Sequence, residues 1–254
     1  MKRFSGKVAV VTGASSGMGR DIARGLCEEG AIVVAVARRQ NRLEELAEKC
    51  KDMEGKILPY VADLMNDEEN RKMVDYAVEQ GGKIDILINN AGMMDEMKPV
   101  GEVDEDLYHR VMTLNAKSPM LAMQRAVQVM KEQETGGVIL NIASIGGTNG
   151  CKAGAVYTMS KHALVGLTQN TAFMYAGKNI RCNAICPGGV KTEVGVNMKA
   201  PSQLGIARVM AGVDTSIRQA EVEEITGLAL FVVSDAASFV NGSIITADGG
   251  VTSC

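Results

Sequence analysis

The sequence predicts an α/β fold, a doubly wound parallel sheet of about seven strands with helices on both faces, forming one domain over residues 1–254. Three observations carry this expectation. Strand-like and helix-like patterns alternate along the whole chain. Of the strand segments, the first, residues 8–12, is short and uniformly apolar, as a strand covered on both faces is. The first of them runs into a glycine-rich turn that opens a helix.

The elements follow in order. Residues 8–12 form the first strand. The first helix covers 17–29, with Met18, Ile22, Ala23 and Leu26 on its buried stripe, and Gly30 stops it. A second strand covers 32–37. Leu43, Leu46, Ala47 and Cys50 give the second helix its apolar face. A third strand spans 57–61 and a third helix 67–79. The fourth strand, 84–88, ends at Asn89, Asn90, Ala91 and Gly92. One long helix is predicted over 105–132. The fifth strand is 138–142, and the helix carrying Tyr157 extends to about residue 176. A sixth strand, 180–185, ends at Pro187, Gly188 and Gly189. Residues 189–218 lack a steady period and are expected to form a mobile lid. A last helix over 221–233 and a short strand over 243–246 complete the pattern.

Composition narrows the function. With 254 residues, 46% of them hydrophobic, the chain can bury one large core. The net charge is −3 and no basic block occurs, which argues against a nucleic-acid partner. No apolar run approaches the roughly 20 residues of a membrane span, so no membrane partner is expected. The first residues carry two cations with no apolar stretch behind them, unlike a signal peptide. Cys27 and Cys50 fall on apolar helix faces, where a thiol acts as a small hydrophobe. Cys182 and Cys186 share one face of a strand. Neither His109 nor His162 lies near them in sequence and no CxxC occurs, so packing outweighs a metal or redox pair and no metal site is expected. A reducing, cytoplasmic compartment follows.

The chemistry gathers at strand ends. The turn TGASSGMG at 12–19 brings backbone N–H groups to a helix N-terminus, where a pyrophosphate is favoured. Ser144 stands just past the fifth strand. Tyr157 and Lys161 are four apart on a helix and share a face. Ser144, Asn89 and Pro187 all fall at the C-terminal edge of a parallel sheet, beside the glycine turn, where such folds bind ligands. His162 points off that face and His109 reads as a helix surface residue.

These motifs, with NNAG at 89–92, Asn115, YTMSK at 157–161 and PGGVKT at 187–192, resemble the short-chain dehydrogenase/reductase family over essentially the whole chain. The resemblance implies a Rossmann-like fold and an NAD(P)-dependent oxidoreductase that interconverts a secondary alcohol and a ketone. It implies Tyr157 as general acid or base, Lys161 as the ammonium that, together with an oxidised nicotinamide ring, lowers the phenol pKa from about 10 and holds the nicotinamide ribose, Ser144 as the hydrogen-bond partner of the substrate oxygen, and Asn115 as the holder of a water for proton relay. On the cofactor side it implies Gly13, Ser15, Ser16, Gly17, Met18 and Gly19 at the turn and Asp63 and Leu64 after the third strand. Asn90, Ala91 and Gly92 follow after the fourth, and Pro187, Gly188, Val190 and Thr192 after the sixth.

NAD-preferring relatives place a carboxylate at the end of the second strand. Ala37 stands there, followed by Arg38 and Arg39, and a guanidinium suits the 2′-phosphate of NADP. The expected cofactor is NADP(H), with Arg38 as main contact and NAD(H) as the alternative. Val194, Val196, Met198, Leu204, Ile206, Val209 and Met210 make the lid largely apolar, and Met93, Met94 and Met97 stand near it. Either these residues pack ordinarily, or they face an apolar substrate such as a hydroxysteroid. The chief rival is reduction of 3-oxoacyl groups on acyl carrier protein. Phe173 stands where such relatives tend to carry an Arg, although Arg125 and Lys131 remain nearby. A non-catalytic dinucleotide-binding regulator ranks last, because the acid–base side chains are intact. Met120, Met123, Ala126, Val127 and Met130 on the long helix leave room for a subunit interface, and the family commonly forms homotetramers.

Overall fold

The computed structural model describes residues 2–193, 198–214 and 216–253. Its strands are β1 (Val8–Thr12), β2 (Ile32–Ala37), β3 (Lys56–Val61), β4 (Ile86–Asn89), β5 (Gly137–Ile142), β6 (Ile180–Pro187) and β7 (Ile244–Ala247). They form one sheet in the order β3-β2-β1-β4-β5-β6-β7. All six pairings are parallel. The chain builds outward from β1 to β3, then returns to lay β4 on the other side of β1. That reversal opens a crevice at the C-terminal ends of β1 and β4, where open α/β sheets take ligands.

Period 2 along each strand divides the core. On one face Ala9, Val11, Val33, Ala35, Ile86 and Ile88 pack against α1 (Gly17–Glu28), α2 (Gln40–Lys49) and α8 (Val222–Val233), through Ile22, Leu26, Leu43, Leu46, Ile225 and Ala229. On the other, Val8, Val10, Val34, Val36 and Leu87 meet α3 (Glu69–Gly81), α5 (Ser118–Met130) and α6 (Ala155–Tyr175) through Met73, Met123, Met130 and Ala172. Leu26 and Leu43 are fully buried, and truncating either to Ala should cost about 2–5 kcal/mol. Of the five apolar residues singled out on the long helix, Met123, Ala126, Val127 and Met130 are buried against the sheet side and only Met120 stays exposed, at 41%.

Two elements depart from the sequence pattern. The predicted helix over 105–132 is interrupted. It comprises α4 (Glu105–Met112) and α5 joined by a π-helical turn, Thr113–Lys117, with Asn115 inside it. Single π turns widen a helix by one residue and alter which carbonyls are paired. The aperiodic segment 189–218 contains a further helix, α7 (Gln203–Ala211), capped by Ser202, whose side chain accepts from the Gly205 N–H. Its nine residues mix a glycine with apolar side chains on several sides, so no stripe betrays it. Val194 and Val196 lie outside the described residues.

Candidate active site

The β1–α1 turn is made by backbone. Gly13 and Gly17 hold φ values of +70° and +54°, a region that favours glycine. A Cβ on Gly19 would come within 2.6 Å of the Gly13 carbonyl oxygen and collide with the Asn90 side chain, so α1 approaches the sheet only as glycine. Thr12 ties the turn to β4: its hydroxyl accepts from the N–H of Asn90 (2.9 Å) and of Ala91 (3.1 Å), and its carbonyl accepts from Asn90 Nδ2 (2.9 Å). Ser16, the N-cap of α1, makes no side-chain cap bond, which leaves the helix N-terminus to an anion. Met18 is partly buried against the core. A Cβ on Gly17 would meet Thr192 Cγ2 at 3.2 Å, which puts Thr192 against the turn.

Arg39, rather than Arg38, reaches this turn. Its Nε and Nη2 donate to Ser15 Oγ (3.1 and 2.9 Å) and Nη2 donates to Ser16 Oγ (2.7 Å). Arg38, one residue earlier, is exposed. Nη1 of Arg39 and Nη1 of Arg42 donate to the two oxygens of Glu193, at 3.0 and 2.7 Å. The bonds from Arg42 and Arg39 hold the Glu193 carboxyl down to about 2. Sequence reasoning named neither Arg42 nor Glu193. The i+3 spacing of Arg39 and Arg42 on a helix start was the available signal for the first.

The remaining cofactor-side residues spread along the same sheet edge. Asp63 is exposed and its Oδ1 accepts from the Met65 N–H (3.1 Å), while Leu64 is buried in the core. Gly188 follows Pro187 at the end of β6 and donates to the Ala247 carbonyl (3.0 Å). Val190 bridges to Ala220. A cleft of about 940 Å³ lies between α1 and the segment after β6, lined by Gly17, Arg20, Thr192, Glu193 and Met198 among others. Ser144, Tyr157 and Lys161 are not among its lining residues.

Those three meet at the far end of the edge. Ser144 caps a short 3-10 turn, Ile145–Gly147, and its Oγ accepts from the Gly146 N–H at 3.0 Å. A Cβ on Gly146 would meet both Ser144 Oγ and Tyr157 Cε1 at 3.5 Å, so the Ser144 hydroxyl and the Tyr157 ring flank the same turn. Lys161, one turn along α6, is buried; its Nζ donates to the Ile142 carbonyl (2.9 Å) and lies 5.6 Å from the Tyr157 ring centre. A Cβ on Gly92 would stand 3.6 Å from Lys161 Nζ and 3.3 Å from Asn115 Oδ1, so the end of β4 abuts this cluster. Burial pushes the phenol up to about 12, against the nearby Ser144 hydroxyl, and pulls the Lys161 ammonium down to about 8. Desolvation is the largest cause of both shifts, and at the phenol the Ser144 hydroxyl opposes it.

Asn115 is fully buried. Its Oδ1 accepts from the Met93 N–H (2.9 Å), and its Nδ2 donates to the Met93 carbonyl (2.9 Å) and to Ser160 Oγ (3.1 Å). Both side-chain donors are thus engaged by protein groups. No motif in the sequence marks Asp95, a fully buried carboxylate that accepts from the Tyr157 backbone N–H at 2.8 Å. An acidic residue set among Met93, Met94 and Met97 was its only trace in the sequence. His162 bonds the Thr158 carbonyl through Nδ1 (2.9 Å) and His109 is exposed. Among the described residues no group of three His, Cys, Asp or Glu side chains is placed to hold a metal ion, and no helix is long and apolar enough to cross a membrane.

Comparison with known proteins identifies the family. Residues 13–252 match the family model described as Enoyl-(Acyl carrier protein) reductase. The chain is 42% identical over 247 residues to 3beta-hydroxysteroid dehydrogenase 2 of Eggerthella lenta, covering 97% of this chain and 95% of the relative. It is 34% identical over 269 residues to 3beta-hydroxysteroid dehydrogenase of Mediterraneibacter gnavus, covering 99% and 97%. A short chain dehydrogenase from Burkholderia cenocepacia, solved in complex with NADP, superposes with a TM-score of 0.85 at 28% identity, covering 98% of this chain and 99% of that one. The chain therefore belongs to the short-chain dehydrogenase/reductase family as a Rossmann-fold, NAD(P)-dependent oxidoreductase acting on CH–OH groups.

Proposed function

We propose that this chain interconverts an apolar secondary alcohol of the hydroxysteroid type and its ketone, using NADP(H). The observation that carries the reading is the meeting of Ser144, Tyr157 and Lys161 at the sheet edge that also holds the glycine turn. The nicotinamide supplies or accepts the hydride when bound. The Tyr157 hydroxyl gives a proton to the carbonyl oxygen in reduction and takes one from the alcohol in oxidation. Ser144 Oγ donates to the same oxygen and stabilises the charge that develops on it. Lys161 donates to the nicotinamide ribose and supports the phenolate, and Asn115 organises the relay behind it. Backbone at Gly13 to Gly19 takes the pyrophosphate, Asn90, Ala91 and Gly92 flank the adenosine, and Thr192 and Val190 serve the carboxamide.

NADP(H) is favoured by the apolar Ala37 at the end of β2 and by Arg39 beside Ser15 and Ser16. Arg39 replaces Arg38 as the main 2′-phosphate contact, and NAD(H) remains the alternative cofactor. The steroid class is supported by the two 3beta-hydroxysteroid dehydrogenases among the relatives and by the apolar character of residues 189–218, which would act as the lid. Acyl carrier protein is the weaker partner: Phe173 is 83% exposed with no cation there, and Arg125 and Lys131 are each paired, with Asp75 and Glu132. The exposed Phe173, Met174 and Phe239 suit a homotetramer, and the free Cys27, Cys50, Cys151, Cys182 and Cys186 suit the reducing cytoplasm.

The test is a panel of hydroxysteroids, other secondary alcohols, free ketones and acyl-carrier-bound 3-oxo groups, followed by nicotinamide absorbance with NADP(H) and NAD(H). Turnover of hydroxysteroids with a clear NADP(H) preference is expected. Faster turnover of the carrier-bound substrate, or a preference for NAD(H), would overturn the corresponding half of the reading.

A further inference from the structure

The strap over residues 93–98, which follows β4, touches three parts of the site. Met93 is bonded at both its N–H and its carbonyl by the Asn115 side chain. Asp95 reaches α6, and the Lys98 carbonyl accepts from the Ala155 N–H at 2.8 Å. The Glu96 carbonyl accepts from the Ser202 N–H at 2.9 Å, and Gly205 of α7 packs directly on the Met97 carbonyl. Glu96 and Met97 both sit in the left-handed region, at φ 62° and 56°, which non-glycine residues occupy only under local constraint.

The first N–H groups of any helix lack intrahelical partners. In α6 the N-cap is Gly154, which has no side chain to satisfy them. Asp95 does so from outside the helix: Oδ2 accepts from the Tyr157 N–H (2.8 Å) and Oδ1 from the Met97 N–H (3.2 Å). The glycine is what admits it, since a Cβ at 154 would fall 2.5 and 2.6 Å from the two carboxylate oxygens. A fully buried carboxylate is a costly cap compared with a surface Ser or Asp. Its placement on the very residue whose hydroxyl faces Ser144 gives that cost a use.

We propose that Asp95 is a positioning residue for the reaction, holding the first turn of α6 from the strap and so setting where the Tyr157 hydroxyl stands against Ser144. The inference rests on the acid–base role proposed for Tyr157. The titratable groups facing the phenol are Lys161 on α6, Cys186 on β6 and Asp95 on the strap, with the Ser144 hydroxyl beside them. Glu96 and Lys98, the other charged residues of the strap, pair with each other, and Lys98 also pairs with Asp104. The Asp95 charge opposes formation of the phenolate, and burial in turn raises the Asp95 carboxyl.

Asp95→Asn keeps the shape and one acceptor while removing the charge. Expected are a kcat for alcohol oxidation lower on the order of 10-fold, an unchanged dinucleotide Kd, and a midpoint of the kcat–pH profile moved to lower pH. A wild-type kcat and midpoint would overturn the proposal, and so would a loss of dinucleotide binding in step with kcat, which marks general damage to the fold. Tyr157→Phe is measured alongside. If it keeps wild-type turnover, the acid–base reading fails and takes this inference with it; if it is inactive while Asp95→Asn behaves as wild type, only this inference fails. Should Asp95→Asn not fold, Gly154→Ala displaces the carboxylate without removing it. The same kcat loss at constant Kd supports the proposal, and wild-type kcat refutes it.

Discussion

At one end of the site the charged groups stand in solvent; at the other they are buried. The side chains of Arg39, Arg42 and Glu193 are between 35% and 50% exposed, whereas Lys161 is 4% exposed and Asp95 not at all. Exposed ion pairs contribute little net stability and exchange readily. Glu193, bridging two guanidinium groups beside Ser15 and Ser16, occupies the kind of place a phosphate would take, and its loss to solvent costs the fold little. At the buried end desolvation dominates. It drives Tyr157 up and Lys161 down, so each group in the free protein leans toward its neutral form. On the proposed reading this is a division of labour by dielectric: recognition at the wet end, control of protonation at the dry end.

The comparison is open to attack in order of expected effect. Tyr157→Phe should lower kcat on the order of 10³-fold, the range of a lost general acid–base group, and leave the dinucleotide Kd as in wild type by fluorescence titration. A kcat within tenfold of wild type would dissolve the distinction between the two ends. Arg39→Ala should weaken NADP(H) about 10-fold or more, given roughly 1.5–3 kcal/mol for charged hydrogen bonds, with NAD(H) unaffected. Glu193→Gln should shift NADP(H) slightly the other way. Equal effects of Arg39→Ala on both dinucleotides would place the 2′-phosphate elsewhere. The smallest effect concerns pH. Folding lowers the Lys161 value to about 8, so its ammonium is present below that pH and lost above it. Dinucleotide binding should therefore weaken modestly as pH rises through 8, and Lys161→Met should flatten that trend; a flat wild-type curve would remove Lys161 from ribose binding.

Much of this was legible in the sequence. All seven strands were read from the sequence, β1 most clearly from its uniformly apolar run, because a strand buried on both faces has little freedom in composition. The glycine turn was legible because its φ values and its close approach to Asn90 exclude other residues. The π turn around Asn115 was not, since the residues Thr113–Lys117 carry no helix breaker and the apolar stripe continues through them. The choice of Arg39 over Arg38 was not legible either, because adjacent residues at a strand exit differ only in the direction the backbone gives them.

The sequence by itself determined the layered α/β architecture, the crevice at the strand ends and the identity of the chemical groups there, because local periodicity and motif spacing encode these directly. Only the tertiary structure decided their environment: which arginine meets the serines, that a lid-side glutamate pairs with two guanidiniums, that the phenol and ammonium are desolvated, and that a carboxylate 62 residues upstream of Tyr157 holds its helix. Burial and long-range hydrogen bonds depend on segments far apart in the chain, and no local pattern records them.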